Sequence, residues 1–317
     1  MQRFRNILVG VDLSCADRLA ASELNPPTRE AIKRATWLAE RLRAKLTFFS
    51  AIDVSARTRE LLQDDYDNTS KTVEAEARAV LSELAAKAAE RNIEAEYGLV
   101  FGRPWIQITE RVMRAGHDLV IAGTRDLGTL GRMLFGSTGV NLLRNCPCPV
   151  WITKPDQNWD DLNILIASDL SDVAQDAVAM GVSCGQLADG KVHLLHVVDH
   201  ADDSRLMHTG VSRDKLEAFH KKAVEDAEHK LHEQLSFTDY RTIEKGVKVH
   251  VVEGRPETEI LAAIERNNID LLVMGTLARG GIPGMLVGNT AERLIPELAC
   301  SILAVKPPDF QCPIDPQ

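Results

Sequence analysis

The sequence of 317 residues has little that marks a membrane-spanning, nucleic-acid-binding or disulfide-stabilised protein. Aromatic residues make up only 5%, and six cysteines are spread thinly over the whole chain. The formal net charge is −9 without a dense Lys/Arg run, which argues against general binding to nucleic acid or to anionic membranes. No apolar run reaches the length of a bilayer, and the first residues lack a secretory-signal pattern. We therefore expect a cytoplasmic protein with reduced thiols and no membrane span.

Several motifs of catalysis and metal binding are also missing. The chain has neither a G-x-x-x-x-G-K-[ST] loop nor a G-x-S-x-G elbow. The Cys146-Pro147-Cys148 segment is not a C-x-x-C pair, and no second pair completes a zinc site. His229 and His232 lie three residues apart on a polar helical pattern, which favours a solvated face over a metal site. We predict no catalytic residue, and the sequence leaves metal binding open.

What the sequence does contain is an internal duplication. Five features of the first half recur 152 residues later, and a constant offset of this kind is not expected by chance. The pairs include Val100–Pro104 with Val252–Pro256, and His117–Thr124 with Ile269–Thr276. The front parts also match, although the first copy has an insertion around residues 22–27, where Asn25-Pro26-Pro27 predicts a loop. We predict one domain at residues 1–156, a second at 157–310, and a loose tail at 311–317.

Each copy alternates short apolar runs with longer helical patterns. In the first copy, strands are predicted at 7–11, 46–52, 94–100, 119–122 and 150–153, and helices at 28–43, 57–91, 104–115 and 137–145. In the second copy, one helical face is predicted from Leu216, Phe219, Ala223, Ala227 and Leu231. Strands that are apolar throughout indicate a parallel sheet covered on both faces. The predicted fold is therefore α/β: two tandem, doubly wound, five-stranded parallel-sheet domains of Rossmann-like type.

Small and polar residues occupy the same strand ends in both copies. Asp12 and Asp169 follow the first strand, and glycines follow the fourth strand and precede the next helix. Open α/β sheets bind ligands at this edge, and a helix N-terminus suits phosphate groups. The same glycines are also compatible with plain turns, and Asn289 with Glu292 is compatible with a helix cap that needs no ligand. The residues alone leave both alternatives open.

With these motifs in place, both halves resemble the universal stress protein family, in the tandem arrangement of its E-type members. Nucleotide-binding members carry a G-x2-G-x9-G-[ST] loop and hold ATP with it, with the first-strand Asp and with the end of the second strand. The resemblance implies one set of nucleotide-binding residues in each domain. In the first domain these are Asp12, Ala51, Gly123, Gly136 and Ser137, and in the second Asp169, Val197, Gly275, Thr276, Ala278, Gly288, Asn289 and Thr290.

Both loops depart from the family pattern at the inner glycine. Asp126 takes its place in the first copy and Ala278 in the second. A carboxylate about 5 Å from a phosphate oxygen opposes binding by roughly 3 kcal/mol at an effective dielectric constant of about 20. We therefore expect ATP or a related adenine nucleotide, with Mg²⁺ as its companion ion, to bind mainly in the second domain.

The resemblance implies a stress-response protein that senses a nucleotide rather than an efficient enzyme. Two alternatives stay open: a slow ATPase or phosphotransferase with Asp169 positioning a metal, and a scaffold whose degenerate sites bind a partner protein or another small ligand. The resemblance also implies that Val150–Thr153 and Ile302–Val305 pair within the chain to form an internal pseudo-dimer. A homodimer of the whole chain is a further expectation.

Overall fold

The protein is represented by a computed structural model, which describes residues 4–14, 24–53, 69–124, 135–155, 161–200, 208–209, 211–276 and 288–314. Its described residues fall into two compact units. The first unit contains the residues up to 155 together with 309–314, and the second contains residues 161–308. Within the first unit, the Cys312 thiol donates a hydrogen bond to the Asn145 carbonyl at 3.4 Å. Among the described residues, no helix has the length and apolar character needed to cross a membrane.

The first unit is a five-stranded parallel sheet with helices between its strands. Its elements are β1 (Asn6–Gly10), α1 (Pro26–Leu42), β2 (Lys45–Ile52), α2 (Thr69–Glu90), β3 (Ala95–Phe101), α3 (Pro104–Ala115), β4 (Leu119–Gly123), α4 (Ser137–Asn145) and β5 (Val150–Thr153). The strand order is β3-β2-β1-β4-β5, and neighbouring strands pair in parallel.

The second unit repeats this architecture. Its strands and α-helices are β6 (Asn163–Ala167), α5 (Asp172–Leu187), β7 (Lys191–Val198), α6 (Arg213–Ser236), β8 (Val247–Glu253), α7 (Pro256–Arg266), β9 (Leu271–Gly275), α8 (Asn289–Leu294) and β10 (Ser301–Val305), with 3₁₀ turns at Tyr240–Thr242 and Ile295–Glu297. The order is β8-β7-β6-β9-β10, again with parallel pairing. The predicted α/β fold of two tandem five-stranded parallel sheets is confirmed. The predicted pseudo-dimer stays a prediction.

The central strands form the core of each unit. Ile7, Leu8 and Val9 of β1 have no exposed surface, and the same holds for Ile164, Leu165 and Ile166 of β6. Because alternate strand residues face opposite sides of a sheet, complete burial of three consecutive residues means that both faces are covered. This is why these strands read as continuous apolar runs in the sequence.

An aspartate fixes the register of the central strand pair in each unit. In the first unit, Asp118 accepts hydrogen bonds from the backbone N–H groups of Arg5 at 2.7 Å and Asn6 at 3.0 Å. In the second unit, Asp270 accepts from the N–H of Asn163 at 2.9 Å. These contacts lie at the amino ends of the strands, so they align the carboxyl ends at the opposite edge.

Two sequence expectations differ from the structure in detail. The Asn25-Pro26-Pro27 segment, expected to be a loop, begins α1: the Asn25 side chain accepts from the Thr28 N–H at 2.8 Å. Proline is tolerated there because the first helical turn needs no N–H partner. In α6, Phe219 was expected on the buried face but is 65% exposed, whereas the neighbouring His220 is half-buried.

The glycines that end β4 and β9 pack against the first helix of their unit, α1 and α5 respectively, with different clearance. A Cβ at Gly123 would lie 2.5 Å from the Pro27 carbonyl oxygen, whereas one at Gly275 would lie 3.0 Å from a Val173 side-chain methyl. The Pro27 backbone cannot rotate away from an added methyl group, whereas the Val173 side chain can. We expect Gly123→Ala to lower the free energy of unfolding by about 1–3 kcal/mol, the usual cost of overpacking, and Gly275→Ala to cost less.

Urea denaturation of both full-length variants, followed by circular dichroism, measures this difference. A larger loss of stability in Gly275→Ala than in Gly123→Ala would contradict the packing argument.

Candidate functional site

A cavity of about 400 Å³ lies at the carboxyl edge of the first sheet. This volume falls within the range of about 300–1,000 Å³ that is typical of small-molecule sites. Its walls come from the ends of β1, β2 and β4 and from the first turns of α1, α3 and α4. The structure brings together all five residues predicted for the first domain, which line this one cavity: Asp12, Ala51, Gly123, Gly136 and Ser137.

The strand order explains why the cavity forms at this point. From β1 the chain proceeds to β2 on one side, whereas β4 lies on the other side of β1. The loops that leave β1 and β4 therefore separate, and the gap between them is where an open α/β sheet accepts a ligand. The chain beyond β1 stays aligned with β2, because the Val11 N–H donates to the Phe49 carbonyl at 2.8 Å.

The aspartate after the first strand is held by a serine two residues later. One carboxylate oxygen of Asp12, Oδ1, accepts hydrogen bonds from the Ser14 N–H at 2.9 Å and from the Ser14 hydroxyl at 2.6 Å. Asp169 and Ser171 repeat this arrangement at 3.0 and 2.5 Å. Neither serine is among the site residues predicted above, although the tripeptide Asp-Leu-Ser, which occurs in both copies, is the signal that identifies them.

The start of α4 provides the electropositive end of the cavity. Gly136 is its N-cap, no side chain caps the helix, and its first turn contains no acidic residue. Ser137, Thr138 and Gly139 in this turn line the cavity. The first N–H groups of a helix have no partner within the helix, and they lie at the positive end of its dipole. This end of the cavity is therefore suited to an anion.

Both apolar and polar side chains line the cavity. The apolar lining residues are Val11, Leu13, Phe49, Ile52, Ile108 and Ala122. Hydroxyls and carboxylates are contributed by Asp12, Ser14, Thr28, Ser50, Asp53 and Thr124. An amphipathic ligand with an apolar ring and an anionic group matches this composition, since ligand sites combine apolar walls with a few oriented polar groups.

The second unit places its predicted residues at the equivalent edge. Asp169 follows β6, Val197 is a buried residue of β7, and Gly275 ends β9. Thr276 and Gly288 are brought together at the base of the loop, where the Gly288 N–H donates to the Thr276 carbonyl at 2.6 Å. Gly288 is also the N-cap of α8, which begins with Asn289 and Thr290. Ala278 lies outside the described residues, as does Asp126 of the first unit.

Polar side chains make the second edge chemically different from the first. The His196 Nδ1–H donates to the Ser168 carbonyl at 2.8 Å, and the Ser168 hydroxyl donates to the Gln234 side chain at 2.8 Å. Because Gln234 belongs to α6, this chain of hydrogen bonds ties the end of β6 to that helix. The first copy has Ser50 in place of His196 and Val11 in place of Ser168, so the same network is not possible there.

A smaller cavity of about 110 Å³ in the second unit contains none of the predicted nucleotide-binding residues. One of its lining residues is His250, whose Nε2 lies 3.0 Å from Nδ1 of the buried His193. The two rings are stacked, with centroids 5.3 Å apart. Burial, together with the charge of the neighbouring His250, lowers the pKa of His193 to about 4, and burial also lowers the pKa of His250.

This histidine pair predicts a loss of stability in mild acid. In the unfolded chain His193 takes up a proton near its ordinary pKa of about 6.5, whereas in the folded chain it stays neutral until about pH 4. Between about pH 6.5 and about pH 4 the unfolded state therefore binds more protons than the folded state. Lowering the pH through this range therefore lowers the free energy of unfolding. We expect an NMR titration of the His193 ring to give a midpoint near 4, and His193→Gln to show a weaker pH dependence of the free energy of unfolding. A midpoint near 6.5 would contradict this account.

Comparisons with known proteins agree with this architecture. The model of the universal stress protein family matches residues 3–154 and 162–306. The chain is 28% identical to universal stress protein E of Photorhabdus laumondii and 27% identical to that of Escherichia coli K12, over 99% of this chain and 98% of each relative. A universal stress protein structure from Archaeoglobus fulgidus aligns with a TM-score of 0.63 at 20% identity, covering 95% of this chain and 98% of that one. The chain therefore belongs to the universal stress protein family, with two domains of that family in tandem.

Proposed function

We propose that the chain binds an adenine nucleotide in the cavity of the first unit, with ATP as the first candidate. The observation that carries this proposal is the convergence of Asp12, Ala51, Gly123, Gly136 and Ser137 on one cavity of about 400 Å³. These residues come from separate strand ends and one helix start, so only the fold brings them together. Family membership supports the proposal, because nucleotide binding is what the resemblance of both loops implies.

The lining of the cavity fits the two parts of a nucleotide. Apolar residues such as Val11, Ile52 and Ile108 suit an adenine ring, and the first turn of α4 suits phosphate oxygens. Asp12 offers a carboxylate oxygen that accepts hydrogen bonds from ribose hydroxyls. A Mg²⁺ ion that accompanies ATP bridges phosphate oxygens and keeps most of its waters, so it requires few protein ligands.

We place the tighter nucleotide site in the first unit. This differs from the expectation drawn from the sequence, which favoured the second domain. That preference depended on Asp126 and Ala278, both outside the described residues. In the second unit the Gly288 N–H is already bonded to the Thr276 carbonyl. Its helix α8 has only six residues and carries Glu292 in the first turn, whereas α4 has nine and carries no acidic residue there. These three differences oppose anion binding in the second unit, which we propose as the weaker site.

A regulatory role is favoured over efficient catalysis. Among the described residues that line the cavity, the ionisable side chains are those of Asp12 and Asp53, with no histidine, lysine or cysteine beside them. Rapid phosphoryl transfer requires cationic groups that stabilise the developing charge, in addition to a metal ion. Slow hydrolysis remains the alternative function. Action in the cytoplasm and a role in a stress response rest on family membership and form part of this proposal.

Paired substitutions at the two first-strand aspartates test the assignment. In isothermal titration calorimetry of the full-length chain with MgATP, we expect Asp12→Ala to weaken the tighter site by about 10- to 100-fold. This range corresponds to the loss of a charged hydrogen bond worth about 1.5–3 kcal/mol. Asp169→Ala, the matched substitution in the second unit, should leave the tighter site unchanged.

Three further results distinguish the alternatives. Loss of the tighter site in Asp169→Ala but not in Asp12→Ala would place it in the second unit. Absence of saturable binding, together with another small molecule found by mass spectrometry of the purified protein, would favour a scaffold with a different ligand. Phosphate release that falls in Asp12→Ala in proportion to bound ATP would identify slow hydrolysis at the same site.

A further inference from the structure

Two histidines and a glutamate converge at the carboxyl edge of the second sheet. His200 lies just beyond β7, Glu253 is the last residue of β8, and His220 lies in α6. One potential ligand atom from each lies within 4.8 Å of the other two. His200 Nε2 is buried and lies 3.2 Å from Glu253 Oε2, and the two imidazole ring centroids are 3.9 Å apart.

Regular secondary structure carries Glu253 and His220, and His200 lies two residues beyond the end of β7. Strands β7 and β8 pair in parallel, with Val198 opposite Glu253, so His200 and Glu253 leave the sheet at the same place. Helix α6 packs across these strands through Leu216, Ala227 and Leu231. This helical phase turns His220 inward and leaves Phe219 65% exposed. The unexpected exposure of Phe219 is thus the consequence of orienting His220 towards the cluster.

We propose that His200, His220 and Glu253 bind a divalent transition-metal ion, with Zn²⁺ as the best match. Imidazole nitrogen and carboxylate oxygen are zinc ligands with bond lengths of about 2.0–2.2 Å. In a tetrahedral site, two such ligand atoms lie about 3.3 Å from each other. The 3.2 Å between His200 Nε2 and Glu253 Oε2 matches this spacing. The fourth tetrahedral position is open to water or to a ligand atom.

An ion pair between His200 and Glu253 accounts for only part of the arrangement. It explains the 3.2 Å contact but not the second imidazole, whose ring centre is 3.9 Å from the first. Two imidazoles beside one carboxylate form a His₂Glu donor set, which is a known ligand set of zinc sites. Mg²⁺ and Ca²⁺ fit less well, because both ions prefer oxygen ligands.

The cluster is a property of the second unit and is separate from the proposed nucleotide site. The first copy has Phe101 at the position of Glu253 and Val54 at that of His200. None of the three residues belongs to the cavity of about 400 Å³ in the first unit. The cluster is not predicted from the sequence, because its three members lie in separate parts of the chain and form no short motif.

Zinc titration of the chelator-treated full-length protein tests the proposal. With competition against a chromogenic zinc indicator, we expect one zinc ion per chain in the wild type. We expect His220→Gln and Glu253→Gln to weaken this site by more than about 100-fold, because loss even of an outer-shell partner costs about 10- to 100-fold. His229→Ala removes an exposed imidazole from the same helix and should leave the affinity unchanged.

Two spectroscopic controls separate a lost ligand from a lost fold. Far-ultraviolet circular dichroism should show the wild-type helix content in each variant. Co²⁺ should give the visible absorption of a four-coordinate complex in the wild type and in His229→Ala, but not in His220→Gln or Glu253→Gln. Zinc binding of unchanged affinity in a folded His200→Ala/His220→Gln double variant would overturn the proposal. Absence of saturable binding by the wild type, or displacement of zinc by equimolar Mg²⁺, would overturn it too. Asp12→Ala should bind zinc like the wild type, so the outcome is independent of the nucleotide site.

Discussion

The parallel pairing of the central strands is the constraint on which the rest of the structure depends. Asp118 and Asp270 hold the amino ends of β1–β4 and β6–β9 in register, which brings the carboxyl ends of each pair to one edge. Because the chain leaves the central strand and its neighbour in opposite directions, a gap opens between their loops. Strand pairing therefore places Asp12 and Asp169 at that edge without the help of a bound ligand.

Much of this architecture follows from the sequence because its cause is local. Consecutive apolar residues such as Ile7, Leu8 and Val9 reveal a strand covered on both faces, and the constant 152-residue offset reveals the repeat. Other features depend on tertiary context. The exposure of Phe219 follows from the way α6 packs on its sheet, and the Ser14 contact to Asp12 is a side-chain geometry that hydrophobic periodicity does not encode.

The two copies share a fold but differ in the side chains at the functional edge. In the first unit the residues around Asp12 enclose a cavity beside an uncapped helix. In the second unit, hydrogen bonds from His196 to Ser168 and from Ser168 to Gln234 connect the end of β6 to α6. His200 lies 3.2 Å from Glu253. On our account the first unit binds the nucleotide more tightly, and the second has acquired a metal-binding cluster.

The most direct test of the central claim is a crystal structure of the full-length chain grown with Mg²⁺ and a non-hydrolysable ATP analogue. The account predicts electron density for the adenine ring against Ile52 and Ile108, with the phosphates at the first turn of α4. Density for the analogue beside Asp169 and the first turn of α8, with the cavity of the first unit empty, would contradict it.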